Sequence, residues 1–89
     1  MNPKDTAALY DKIAAWWNDA LTGSTYGIHY VNEAIQHSNK SGEALEIGCG
    51  SNSRIRECVV NAGFHYTGLD VSVAMISFAK NNHPAQRFI

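Results

Sequence analysis

The sequence predicts an α/β fold in which up to three parallel strands follow two amino-terminal helices. Apolar residues recur at helical spacing in the first part of the chain, whereas short apolar runs alternate with helical stretches in the second part. A β-α-β-α-β order implies parallel strands joined by right-handed crossovers. The polar run 37–42 separates the two parts, and it predicts a helical segment over residues 1–40 and a βαβαβ unit over residues 43–89.

Two helices are predicted in the amino-terminal segment. The first extends from Thr6 to Leu21, with Asp5 or Thr6 as its N-cap and Gly23 as its stop signal. Its aromatic residues lie at helical spacing, which is typical of core positions. The second helix is predicted from the apolar face that includes Ile28 and Ile35.

The βαβαβ unit is predicted to contain three strands and two helices. The strands lie at Ala44–Ile47, Phe64–Leu69 and Arg87–Ile89, and the helices at Arg54–Ala62 and from Ser72 through Lys80. The first strand is a short apolar run, which is typical of a buried strand. Gly63 suits the end of the first of these helices, and the Ser72 side chain suits the N-cap of the second.

The composition describes a small globular domain and excludes several function classes. The chain has 89 residues, of which 45% are hydrophobic and 17% are charged. Its net charge of -1 argues against a general nucleic-acid binder, and no apolar run approaches the roughly 20 residues of a membrane span. Two cysteines are too few for a secreted disulfide scaffold, the start does not resemble a signal peptide, and the scattered histidines predict no metal site. We therefore expect a cytoplasmic protein.

The most informative motif is a glycine-rich turn between the first strand and the helix that follows it. In Gly48-Cys49-Gly50 the glycines allow a ligand to approach the backbone closely. Asp70 closes the second strand, 22 residues after Gly48, and this is close to the spacing of about 20 residues for a ribose-binding acid in a βαβ unit. The pattern therefore predicts a nucleoside-containing ligand.

The residues around the turn favour a cationic nucleoside over a dinucleotide. A dinucleotide fingerprint would place a third glycine where Ser53 stands. Glu46 lies two residues before the first glycine, where a carboxylate does not favour a pyrophosphate but does favour a cation. S-adenosylmethionine carries a sulfonium, an ammonium and a ribose, and it is therefore the predicted cofactor. An NAD-type dinucleotide remains an alternative.

Two separated stretches, Leu45–Gly50 and Gly68–Met75, resemble the first half of a class I S-adenosylmethionine-dependent methyltransferase. The resemblance implies a truncated Rossmann-like fold. It assigns the cofactor-binding residues as Glu46, Gly48, Cys49 and Gly50 in the first loop, Asp70 on the ribose, and Val71 and Met75 on the adenine.

The amino-terminal segment resembles the leading helix of small-molecule methyltransferases, which folds over the cofactor in that family. The resemblance rests on Tyr10-Asp11 and Trp16-Trp17. It implies that residues 1–40 form a lid or cap, with Tyr10 as a further cofactor contact.

The sequence departs from the family pattern in two respects. Asn52 stands in place of the third glycine of the usual loop, and the chain ends at Ile89, before the loops that hold the methyl acceptor in the family. We therefore expect the cofactor-binding part of a methyltransferase for a small-molecule acceptor, with no assignable catalytic residue. The family's first strand is central in its sheet, so we also expect a homo-oligomer or a complementing chain. An inactive remnant that serves as an oligomerising module is the alternative.

Three residue types outside these motifs receive ordinary structural interpretations. Cys49 lies near a helix N-terminus, which lowers a thiol pKa, but no histidine pattern accompanies it, so it is interpreted as a loop residue. Cys58 is interpreted as a core residue. Arg54 and Arg56 are interpreted as a solvated helix face.

Overall fold

The computed structural model describes residues 2–38 and 42–89. The elements in chain order are α1 (Pro3–Leu21), α2 (Ile28–Gln36), β1 (Gly42–Ile47), α3 (Arg56–Asn61), β2 (Phe64–Leu69), α4 (Val73–Asn82) and β3 (Arg87–Phe88). The three strands are parallel in the order β1-β2-β3, which confirms the predicted α/β fold. The predicted break at 37–42 includes residues 39–41, which lie outside the described residues.

The strand β2 is the centre of this sheet. It pairs with β1 in a register that runs from Gly42 opposite Phe64 to Ile47 opposite Leu69. Its pairing with β3 is shorter and includes Gly68 opposite Phe88. Because the strands are parallel, their carboxyl ends lie at the same edge of the sheet.

Local capping explains where the helices α1 and α4 begin. The Asn2 side chain accepts a hydrogen bond from the Asp5 amide at 2.9 Å, so α1 begins at Pro3 and not at the predicted Thr6. The Ser72 side chain accepts from the Met75 amide at 3.1 Å, which confirms Ser72 as the N-cap of α4.

The hydrophobic core lies on one face of the sheet, between the strands and the helices α3 and α4. Its buried members are Cys49, Tyr66, Ile76, Ala79 and Phe88. The rings of Tyr66 and Phe88 meet edge to face with their centroids 5.9 Å apart. Cys58 is only half-buried, so its predicted core position is wrong.

The opposite face of the sheet is open to solvent among the described residues. Leu45 is 58% exposed and Ile47 is 78% exposed, so the prediction of a buried first strand is wrong for these side chains. The strand lies at the edge of the sheet, and only the alternate residues Ala44 and Glu46 point toward the covered face. Trp16 of α1 is also exposed, at 65%, in place of the core position that its spacing predicts.

The packing of the Phe88 ring against β2 depends on a glycine. A Cβ atom at Gly68 would lie 2.7 Å from the Phe88 ring and 2.8 Å from the Tyr66 hydroxyl oxygen. Both neighbours are buried, so they have little room to move.

We predict that Gly68→Ala destabilises the fold by about 1–3 kcal/mol, because the added methyl overpacks this contact. Urea unfolding measures the change. The same substitution in a Phe88→Leu background is the control, since the smaller side chain relieves the overlap and the cost of the alanine should fall. An equal cost in both backgrounds would contradict the explanation.

Candidate functional site

The candidate site is formed where β1 and β2 end. The chain turns sharply after Ile47, and the amides of Gly48 and Cys49 both donate to the Leu69 carbonyl, at 2.7 Å and 3.0 Å. Gly48 has φ +76° and Gly50 has φ +66°, conformations that glycine adopts without strain. The glycine-rich turn therefore wraps around the carboxyl end of β2.

The carboxylate of Asp70 joins this turn to the start of α4. One oxygen, Oδ2, accepts from the Gly50 amide at 2.9 Å, and the other, Oδ1, accepts from the Ser72 amide at 2.9 Å. A carboxylate has about four acceptor positions, so about two remain for a ligand. The sequence assigned Asp70 to the ribose only, although its place two residues before an N-cap serine is typical of an Asx turn.

The second carboxylate of the site belongs to Glu46, on the covered face of β1. Its Oε1 atom accepts from the Tyr66 hydroxyl at 2.5 Å and from the Ser53 hydroxyl at 3.4 Å. Burial raises the pKa of Glu46 above the ordinary value of 4.5, although these two hydrogen bonds oppose the increase. Neither Tyr66 nor Ser53 was identified from the sequence, because both contacts depend on strand register and loop conformation.

The thiol of Cys49 is not activated. Cys49 belongs to the buried core, and burial, with the nearby charges of Glu46 and Asp70, raises the pKa of its thiol to about 12. A nearby helix N-terminus would lower the pKa of the thiol, so the expectation of a lowered pKa is wrong for Cys49. Its interpretation as a loop residue agrees with a thiol that is protonated at neutral pH.

A cavity of about 620 Å³ lies above the turn, and the helix α1 forms one wall. All eight residues that the sequence assigned to the cofactor line this cavity: Tyr10, Glu46, Gly48, Cys49, Gly50, Asp70, Val71 and Met75. Further lining residues that sequence reasoning missed include Thr6, Trp17 and Leu21. Together with Tyr10 they form one helical stripe, and this periodicity was the available signal.

Aromatic packing and one arginine shape the wall that α1 forms. The rings of Tyr10 and Trp17 meet edge to face, with centroids 5.8 Å apart. Arg54 also lines the cavity, and its guanidinium donates to the Tyr26 carbonyl at 2.7 Å. Arg54 therefore ties the α1–α2 connection to the site, and its predicted place on a solvated helix face is wrong.

Residues 2–38 and 42–89 contain no group of three or more histidine, cysteine, aspartate or glutamate side chains placed to hold a metal ion. In the same residues, no helix is long and apolar enough to cross a membrane.

The geometry agrees with the comparisons with known proteins. No protein-family model matches the chain. Ubiquinone biosynthesis O-methyltransferases from the Dugway and Nine Mile strains of Coxiella burnetii are 28% identical to it over 93 residues, which cover 98% of this chain and 38% of theirs. A crystal structure of a TehB-like SAM-dependent methyltransferase from Corynebacterium glutamicum matches with a TM-score of 0.55 and 27% identity. The match covers 99% of this chain and 45% of that one.

These similarities support the resemblance to class I S-adenosylmethionine-dependent methyltransferases that the two sequence motifs indicate. The chain spans 38% of the length of the curated relatives that it matches. The truncated Rossmann-like fold that the resemblance implied is confirmed by the parallel sheet and by the solved structure. In the glycine-rich turn, Asn52 stands where the family pattern has a third glycine. The Asn52 side chain donates to the Asn18 carbonyl at 3.0 Å and so fixes the turn to α1.

We predict that Glu46→Gln increases the stability of the ligand-free chain at neutral pH. A raised folded-state pKa means that the fold favours protonated Glu46. The stability that protonated Glu46 contributes is therefore fully present below pH 4.5 and is lost as pH rises through the folded-state pKa. Glutamine keeps an oxygen for Tyr66 but carries no charge. The wild type should therefore lose stability relative to the variant as pH rises.

Thermal unfolding between about pH 3.5 and pH 7.5 measures this difference. Glu43→Gln is the matched control, because Glu43 lies on the same strand but is exposed, and it should have little effect. A Glu46→Gln variant that is less stable than the wild type at neutral pH would contradict the prediction.

Proposed function

We propose that this chain binds S-adenosylmethionine in the cavity at the carboxyl ends of β1 and β2. The observation that supports the proposal is the placement of two carboxylates, Glu46 and Asp70, beside one glycine-rich turn in a single cavity. The cavity volume, about 620 Å³, is within the usual range of roughly 300–1,000 Å³ for small-molecule sites. The chain would then act as the cofactor-binding part of a methyltransferase.

Each part of the cofactor has a chemically suitable group on the cavity wall. The free acceptor positions of Asp70 suit the two ribose hydroxyls. Glu46 suits the positively charged methionine end, because its Oε1 is held by Tyr66 and a cation offsets the cost of its burial. Val71, which is 48% exposed, provides an apolar surface for the adenine, and the largely covered Met75 side chain lies on the same wall. When bound, S-adenosylmethionine supplies an electrophilic methyl group on its sulfonium.

The contribution of this chain to methyl transfer would be binding and orientation. Positioning of two reactants alone accounts for a large part of many catalysed displacements. Burial raises the pKa of both Cys49 and Tyr66, so neither side chain is an available base at neutral pH. We propose that the acceptor is a small molecule. Because the relatives are more than twice as long as this chain, we also propose that a second chain or segment completes the acceptor site.

We predict that S-adenosylhomocysteine binds saturably and that Asp70→Asn weakens the binding at least about fivefold. That factor corresponds to about 1 kcal/mol, the order expected for hydrogen bonds to a charged group. The asparagine amide would also face the Gly50 or Ser72 N–H group, which would loosen the turn. Calorimetric titration measures both affinities.

Asp19→Asn makes the same charge change at an exposed position of α1 and is the control for this titration. It should bind as the wild type does. A folded chain that binds NAD but not S-adenosylhomocysteine would favour the dinucleotide alternative. A folded chain that binds neither ligand would sink the proposal.

The open face of the sheet favours a second candidate function, that of a self-associating module. The exposed side chains of Leu45 and Ile47 lie on an edge strand, which offers unpaired backbone groups to another strand. Parallel sheets are normally covered on both faces. A net charge of -1 opposes the approach of a second copy only weakly.

We predict that Ile47→Lys shifts the chain toward the monomer, since a charge on this face opposes its burial. Sedimentation equilibrium measures the association. Leu9→Lys, which adds the same charge at an exposed position of α1, should leave association unchanged. A wild-type chain that remains monomeric at high concentration rules out self-association through this face.

A further inference from the structure

The helix α1 is fixed along α4 at two positions. Near the start of α4, the Asp11 Oδ1 atom accepts from the Ser72 hydroxyl at 2.5 Å and from the Ala74 amide at 3.0 Å. Near the end of α4, the Asn18 Oδ1 atom accepts from the Asn82 side chain at 2.9 Å. The two helices therefore run in the same direction, with a polar anchor at each end of the contact.

The anchored face of α1 lies next to the face that lines the cavity. Asp11, Ala14 and Asn18 are spaced three and four residues apart, so they share one side of the helix, and Ala14 is 1% exposed. Tyr10 and Trp17 precede Asp11 and Asn18 by one residue each, which places them about 100° around the helix. Fixing the polar face on α4 therefore fixes the direction of the aromatic face toward the cavity.

Ser72 connects this anchor to the glycine-rich turn. It is fully buried, and its hydroxyl donates to Asp11 while accepting from the Met75 amide. Its own amide donates to Asp70, whose other oxygen accepts from Gly50. An unbroken series of hydrogen bonds thus extends from α1 to the turn.

The electrostatics favour an ionised Asp11 at this position. The hydrogen bonds from Ser72 and Ala74 lower the pKa of its carboxyl group. A carboxylate beside the first amides of a helix is also stabilised by the helix dipole. Asp11 does not line the cavity, whereas its neighbour Tyr10 does.

We propose that Asp11 is a positioning residue: through Ser72 it holds α1 against α4 and so places Tyr10 and Trp17 on the wall of the cofactor cavity. This inference rests on the proposed function for its ligand, but the placement itself is a property of the free chain. Because α1 and Asp70 share Ser72, ligand binding and the docking of α1 are thermodynamically coupled, and each stabilises the other.

The two tryptophans of the chain allow a direct test. Trp16 is exposed and Trp17 lines the cavity, so Trp16→Phe leaves one tryptophan that reports on the placement of α1. In this background Asp11→Ala should increase acrylamide quenching of Trp17 and weaken S-adenosylhomocysteine binding about tenfold, as expected for lost hydrogen bonds to a charged group. Asp11→Asn keeps an acceptor oxygen and should restore most of both properties.

Asp19→Ala removes the same charge from an exposed position of the same helix and should change neither measurement. Wild-type quenching and wild-type affinity in Asp11→Ala would overturn the proposal. If Asp11→Ala does not fold, Asp11→Glu replaces it in the test. Asp11→Glu should increase the quenching of Trp17 and weaken S-adenosylhomocysteine binding, each by less than is expected for Asp11→Ala. Wild-type quenching and affinity in Asp11→Glu would overturn the proposal equally. If no variant binds S-adenosylhomocysteine but quenching of Trp17 still follows Asp11, the proposed function fails and the positioning of α1 stands.

Discussion

The carboxylate of Asp70 is the contact on which the functional end of this chain depends. Its two oxygens accept from the Gly50 and Ser72 amides, and these amides belong to the two loops that follow β1 and β2. Without that bridge the glycine-rich turn and the start of α4 would each lose a hydrogen-bond partner in a partly buried place, at a cost of about 1–3 kcal/mol for each unpaired group. The same carboxylate keeps acceptor capacity toward the cavity, so one side chain both shapes the site and remains available to a ligand.

The rest of the site follows from the way the sheet is covered. The helices α3 and α4 pack on one face of the sheet, and the side chains of Glu46 and Tyr66 lie on this covered face. The side chains of Leu45 and Ile47 lie on the other face and are exposed to solvent. Glu46 is therefore desolvated in the free chain and has a raised pKa. A positively charged ligand would offset this cost, in addition to the hydrogen bonds that Glu46 accepts from Tyr66 and Ser53. A charged Glu46 thus lowers the stability of the free chain but favours the proposed binding of a cation.

The sequence predicted the parts of the fold that depend on residues close together along the chain. The bounds of β2 and the cap at Ser72 agree with the structure, and the eight predicted site residues lie on one cavity. The contacts that the sequence did not predict, and the residues that it misassigned, depend on tertiary structure. Asp11 and Ser72 are 61 positions apart, and their contact exists only because α1 lies along α4. The exposure of Ile47 follows from its strand being at the sheet edge, which an apolar run alone cannot reveal.

Amide chemical-shift mapping with S-adenosylhomocysteine is the most direct test that the cavity at the ends of β1 and β2 is a cofactor site. We predict saturable shifts concentrated at Gly48, Gly50 and Asp70, together with shifts on the cavity face of α1 around Tyr10 and Trp17. Shifts on the opposite side of the molecule alone, or none in a folded chain at millimolar ligand, would contradict it.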